Sequence, residues 1–175
     1  MEKIKVIVTG GAGFIGSHLV DRLIADGHHV TVIDNYSTGR PQNLDHVQKR
    51  DQLKLIREDI CNLEAIKPLF KGIDIVFHMA ALADIVPSIV NPVGYYTSNV
   101  LGTMNVLEAS RLAKVKKFLY TASSSCYGIP SAENYPTKET TAIDTRYPYA
   151  LTKYLGEQTA LHWGQIYELP VISLR

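Results

Sequence analysis

Cysteine is scarce in this chain. Cys61 and Cys126 are the only two, they lie far apart, and no CxxC pair exists. Neither a zinc ribbon nor a thioredoxin-type redox site is available. Two free thiols fit a reducing compartment, so a cytoplasmic setting is expected. The six histidines form no HExxH or HxH pattern, and no metal site is expected. An excess of either charge is also missing. The formal net charge is +1, which gives no reason to expect nucleic acid or an anionic membrane as partner. The short basic run Lys114, Lys116, Lys117 falls at a helix-to-strand junction, where cations suit the helix dipole. No apolar window approaches the length of a membrane span. The opening residues lead straight into a strand pattern and lack the apolar stretch of a signal peptide.

What is present is an ordinary core. Hydrophobic residues make up 46% of the chain and charged residues 20%, as in a single globular domain covering residues 1–175. Short apolar or β-branched runs at 4–9, 30–33, 53–56, 73–77, 118–121 and 171–174 read as buried strands. Helical patterns separate them. The first carries Phe14, Ile15, Leu19, Leu23 and Ile24 and stops at Gly27. Asn62 is placed to cap a helix over 62–70. Pro92 opens a long helix to about residue 113, and a second long helix runs over 148–167. Strands alternating with helices predict an α/β fold, a doubly wound parallel sheet in the order 3-2-1-4-5-6. The polar stretch 122–147 is longer than a packing connection requires, as functional loops are.

Thr9-Gly10-Gly11-Ala12-Gly13-Phe14-Ile15-Gly16 joins the first strand to the first helix. It contains Gly11-x-Gly13-x-x-Gly16 and also the wider spacing Gly10, Gly13, Gly16. Between a strand and a helix, such glycines permit a tight turn and let a pyrophosphate approach the helix N-terminus. Asp34 ends the second strand, 18 residues after Gly16. That is close to the offset of a ribose-binding acid. A carboxylate there accepts bonds from ribose hydroxyls and repels a 2′-phosphate, which favours NAD over NADP. Arg40, nearby, is the residue that would serve a phosphate instead.

Tyr149 and Lys153 stand at i and i+4 on the last predicted helix. A phenol with a pKa near 10 is a poor base at neutral pH. A neighbouring ammonium stabilises the phenolate and makes it a usable acid/base. The cluster Ser123-Ser124-Ser125 follows the fifth strand and can offer a hydroxyl to a reacting oxygen. His78, at the end of the fourth strand, reads as a packing residue, and so does Cys126.

Taken in order, the glycine motif, Asp34-Asn35-x-x-x-Gly39, Asp59-Ile60, His78-Met79-Ala80-Ala81, Asn99-Val100-x-Gly102-Thr103, Ser123-x-x-x-Tyr127-Gly128 and Tyr149-x-x-x-Lys153 span the chain. The set resembles the extended short-chain dehydrogenase/reductase family, in particular its NAD-dependent nucleotide-sugar epimerases and dehydratases, which share a Rossmann fold. The resemblance implies a set of roles. Gly10, Gly13, Phe14, Ile15, Gly16, Asp34 and Asn35 would hold NAD. Asp59 and Ile60 would flank the adenine, Ala80 and Ala81 line the cofactor, and Asn99 organise the site. Ser123, Tyr149 and Lys153 would be catalytic, with Tyr149 and Lys153 also on the cofactor. Ser123, Ser124, Ser125 and Tyr149 would contact a nucleotide-sugar substrate, a UDP-sugar.

Dehydratases of the family carry Asp-Glu directly after the catalytic hydroxyl residue, and the related decarboxylases keep the Glu. This chain has Ser124 and Ser125 there, which resembles epimerases. Transient oxidation of a sugar hydroxyl, at C4 by this resemblance, is then the expected reaction. Family members continue beyond Ser173-Leu174-Arg175 into an Asn-Val-Tyr-Gly-Pro segment and a smaller substrate domain. The resemblance therefore implies a truncated cofactor-binding domain, the cofactor half of an epimerase; the alternatives are a module that holds NAD without turnover, or a nucleotide-sugar dehydratase or reductase of the same family. It also implies a homodimer through the two long helices, with Val106, Leu107, Leu151, Leu155 and Leu161 as apolar positions beyond a single core-facing stripe.

Overall fold

The computed structural model describes residues 3–47 and 50–175. Six strands form one sheet: β1 (Lys5–Thr9), β2 (His29–Asp34), β3 (Leu53–Arg57), β4 (Ile75–His78), β5 (Lys117–Thr121) and β6 (Val171–Leu174). All neighbours run parallel. Their order is β3-β2-β1-β4-β5-β6, as the alternation of strand and helix predicts. Successive β1 side chains face opposite ways. Val6 and Val8 meet Val20 and Leu23 of helix α1 (Phe14–Ala25). Ile7 joins Val76, Phe118 and Phe70 on the other face, with Val106 of α5 (Thr103–Leu112) and Ala160 of α6 (Pro148–Tyr167). Each fully buried valine or isoleucine is worth roughly 1.5–3 kcal/mol.

Several local expectations need correction. Phe14 and Ile15 do not belong to the buried stripe of α1; they are 79% and 62% exposed, because they occupy the first turn beyond the sheet edge. The helix capped by Asn62 is there, with Asn62 accepting from Ala65 N at 3.2 Å. Only its first turn, α2 (Leu63–Ile66), is α-helical, and it tightens over Lys67–Phe70 at Pro68. A short helix, α3 (Ile85–Val90), has no signal in the sequence; Pro87 lies in its first turn, where a missing N–H costs nothing. The long helix from Pro92 is divided into α4 (Pro92–Tyr96), a π-helical stretch Thr97–Gly102, and α5. The widened turn brings Asn99 onto the loop after β4. Its amide accepts from Leu82 N at 2.8 Å and donates to Leu82 O at 3.0 Å. It also donates to Thr152 Oγ1 of α6 at 3.1 Å.

Val106 and Leu107 are fully buried in the chain's own core, so they leave the set of surplus apolar positions. Leu151 and Leu155 are half-buried, and Leu161 is exposed. Among the described residues no helix is long and apolar enough to cross a membrane.

His78 does more than pack. Its ring bridges Thr9 Oγ1 at 2.6 Å through Nδ1 and Thr103 Oγ1 at 2.9 Å through Nε2. The Thr103 hydroxyl donates to Asn99 O at 2.7 Å, so its oxygen can only accept from Nε2–H. Nδ1 then accepts from Thr9, whose oxygen in turn accepts from Ala80 N at 3.3 Å. Every polar atom of the ring is used only while it stays neutral. Burial, reinforced by the Lys153 charge, pushes the imidazole down to about 3. An unfolded chain takes up this proton below about 6.5, whereas the folded one resists it until about 3. Stability is therefore complete above 6.5 and is lost as the pH falls toward 3. Denaturant unfolding of the wild type and His78→Gln should show the wild type losing about 1.4 kcal/mol more per pH unit across this window. Parallel pH dependences for the two proteins would contradict a neutral, proton-refusing His78.

Candidate cofactor groove and active site

A groove runs along the C-terminal ends of β1, β2 and β4, the place where open α/β sheets take ligands. Gly10 turns out of β1 at φ +68, and its N–H donates to Ile33 O at 2.8 Å. A Cβ there would stand 2.7 Å from the Ala80 backbone. At Gly16 a Cβ would be driven into the carbonyl of Gly10. The wider spacing is thus the one the turn depends on. Gly11 packs against Val32 behind the groove, while Gly10 and Gly13 line it. Gly13 is the N-cap of α1 and offers no side chain for capping. The first-turn N–H groups have no partner within the helix and can serve an anion. Phe14 and Ile15 contribute in that way alone, since neither lines the groove.

Asp34 is buried at the end of β2. Its carboxylate accepts from Ala12 N at 3.0 Å and from Tyr36 N at 2.8 Å. The residue expected to meet a ribose is therefore also a staple between the glycine turn and the loop after β2. A carboxylate has about four acceptor sites, so capacity remains for a ligand. Asn35 lines the groove and donates to Asp59 Oδ2 at 2.9 Å. Burial opposes ionisation of Asp59, but the N–H groups of Cys61 and Asn35 prevail and hold its carboxyl below the usual range. Ile60 reaches the groove wall, whereas the Asp59 carboxylate is turned toward these donors. Glu58, Ser37, Met79 and Ser98 also line the groove. Met79 sits inside the His78-to-Ala81 motif without a role assigned to it; no motif picks out the other three, which follow from adjacency to Asp34, Asp59 and Asn99.

Ala80, Ala81 and Leu82 form the wall nearest the chemistry, braced by the Asn99 amide. Lys153 is buried on α6, with its ammonium donating to Thr121 O at 2.5 Å and lying 4.6 Å from the Tyr120 ring centre. Burial lowers its pKa to about 8, and the Glu157 carboxylate works in the opposite direction. Tyr149 is half-buried one turn earlier. Its ring stands edge-on to Tyr95 at 6.4 Å, beside Asp84, Val86 and Pro87. Ser123 caps the short helical turn Ser124–Tyr127: its Oγ accepts from Ser125 N at 3.2 Å and lies 2.7 Å from Ser125 Oγ. Ser125 lines a neighbouring apolar hollow with Ile85, Ile89 and Ile129, and Ser124 is exposed. Among the described residues Ser123, Tyr149 and Lys153 share no direct hydrogen bond. Ser123 and Lys153 use their polar atoms on Ser125 and Thr121, which leaves the Tyr149 hydroxyl as the unengaged group of the three.

A family model described as the NAD dependent epimerase/dehydratase family matches residues 6–175. The chain belongs to that family. It is 40% identical over 169 residues to a UDP-glucose 4-epimerase of Mycolicibacterium smegmatis, covering 95% of this chain and 53% of the relative. It is 41% identical over 139 residues to UDP-glucuronic acid decarboxylase 1 of Arabidopsis thaliana, covering 79% of this chain and 30% of that protein. The solved structure of Thermus thermophilus UDP-glucose 4-epimerase complexed with NAD superposes with a TM-score of 0.89 at 37% identity. It covers 98% of this chain and 54% of its own. The chain thus spans about half the length of that curated epimerase and of that solved structure, and about a third of the decarboxylase. Epimerase and decarboxylase relatives are about equally similar, so overall identity does not separate the two chemistries.

Proposed function

We propose that these residues are the NAD-holding half of a nucleotide-sugar epimerase that acts on a UDP-sugar at C4. The observation that carries this reading is the combination of a groove built for a dinucleotide with a buried Lys153 ammonium one turn from Tyr149. No carboxylate stands at positions 124 and 125 to eliminate water. The fit to NAD rests on Gly10, where the backbone leaves no side-chain volume, and on Asp34, whose anion disfavours a 2′-phosphate. Gly10, Gly13 and the first turn of α1 would hold the pyrophosphate. Asp34 and Asn35 would hold the adenosine ribose, Asp59 and Ile60 the adenine, and Ala80, Ala81 and Asn99 the wall toward the nicotinamide.

When bound, NAD supplies a reversible hydride acceptor. The Tyr149 phenolate takes the proton of the sugar hydroxyl, becoming the phenol, and later returns it. The Lys153 ammonium favours the phenolate form and keeps its own place through Thr121 O. Ser123 offers its hydroxyl to the reacting oxygen, with Ser125 holding its rotamer. Ser124 is close enough in sequence to touch the sugar. Contacts to the base and phosphates of the substrate come from the portion of the relatives that this chain does not span. The protein works in the cytoplasm as a homodimer. Leu101 and Met104, on the π-helical stretch and α5, and Leu161 on α6, supply exposed apolar surface for that contact.

Calorimetry should show NAD binding well ahead of NADP; equal affinities would remove Asp34 from its proposed role. In the full-length protein, Tyr149→Phe should lower UDP-glucose/UDP-galactose interconversion by about 10²–10⁴-fold with NAD affinity retained, because only the proton-carrying atom is lost. More than about a tenth of the wild-type rate would be incompatible with acid/base duty. Light scattering at tens of micromolar should return the mass of a dimer. A monomer would assign the exposed leucines to something else.

A further inference from the structure

Glu157 lies one turn beyond Lys153 on α6, and its side chain is only 4% exposed. A carboxylate buried so deeply persists only with charged and hydrogen-bonded partners. It accepts from Ser173 Oγ at 2.7 Å and from Arg175 Nε at 3.0 Å on both oxygens. Arg175 also donates to the Tyr127 hydroxyl at 2.6 Å and stacks over that ring at 5.2 Å. The Tyr127 hydroxyl passes its own proton to Glu139 O at 3.3 Å. One ion pair thus ties together α6, the end of β6, and the short turn that begins at Ser123. It lies between the segments carrying Tyr149, Lys153 and Ser123, and it lines none of the groove.

We propose that Glu157 and Arg175 are positioning residues for the acid/base pair. Glu157 is the buried counter-charge one helical turn from Lys153, and Arg175 clamps Glu157 to Tyr127 and so fixes α6 against the serine turn. The proposal rests on the epimerase reading above for its consequence in catalysis, but not for the clamp itself.

Among the described residues, Glu157 is the carboxylate that acts on Lys153. Tyr120 of β5 presents a ring whose phenol burial keeps protonated, and β5 adds the carbonyl of Thr121. His78 of β4 is neutral. Cys126, on the serine turn, is kept a thiol by burial. Arg175 is bonded to Glu157 and to Tyr127, and Tyr149 is the group that Lys153 serves on the epimerase reading. Burial alone pulls the ammonium downward, so removing Glu157 removes the one influence that opposes it.

The test is an Nζ titration of ¹⁵N-lysine-labelled protein by NMR, with the Lys153 resonance assigned by its loss in Lys153→Met. Glu157→Gln should move the Lys153 midpoint down by about one pH unit. The alkaline limb of the epimerisation profile in the full-length protein should follow, with kcat falling and KM little changed. A purely structural glutamate would lower Tm and leave the midpoint where it was. A folded Glu157→Gln with an unmoved midpoint overturns the proposal. If that variant fails to fold, Arg175→Gln decides instead: it leaves Glu157 without its guanidinium partner and should move the Lys153 midpoint up, and an unmoved midpoint overturns the proposal. The titration needs no turnover. A shifted midpoint in a full-length protein with no epimerase activity would sink the epimerase reading and leave the counter-charge role of Glu157 standing. An active protein with an unmoved midpoint would do the reverse.

Discussion

The contact between Gly10 and the backbone of Ala80 fixes the rest of the site. It brings the turn after β1 against the end of β4, closer than any side chain would allow. From that contact the geometry spreads in two directions. Toward β2, the Gly10 N–H on Ile33 and the Ala12 N–H on Asp34 hold the glycine turn flat against the strand ends. Toward β4, Thr9, His78, Thr103 and Asn99 form a hydrogen-bonded line that ends in the π-helical turn. The groove is the space these two sets of bonds leave open.

Rigidity and chemistry are linked through the same line. The Asn99 carbonyl closes it, while the Asn99 side chain braces Leu82 on the groove wall and Thr152 beside Lys153. One amide thus joins the groove wall to the helix that carries Tyr149 and Lys153. Such fully satisfied buried networks specify one arrangement because any alternative strands a polar group in a low-dielectric interior.

The sheet was legible because parallel strands buried on both faces read as apolar runs, and helices between them leave one topology. The glycine turn, Asp34 and the Tyr149–Lys153 spacing were legible because each is a local pattern. The rest depended on partners distant in sequence. Nothing near Asp34 announces that Ala12 and Tyr36 will occupy part of its carboxylate. The α-helical period over 92–113 carries no mark of the widened turn at Asn99, which exists because Leu82 and Thr152 are there to be bonded. Val106 and Leu107 looked surplus to one stripe because a helix under a twisted sheet, packed beside another helix, buries more than one. His78 read as packing because its two threonine partners, Thr9 and Thr103, come from elements far apart in the chain.

The double use of Asp34 constrains how this protein could change its cofactor. On the proposed reading of the groove, accepting a 2′-phosphate requires the carboxylate to go. The same substitution would release the Ala12 and Tyr36 N–H groups and open space beside Gly39, which now lies against that carboxylate. Cofactor choice is therefore not an independently adjustable trait here. A lineage that moved toward NADP would need a second change to re-anchor the glycine turn before or together with the first. A single change at Asp34 would therefore be felt in the shape of the loop as much as in the cofactor it admits.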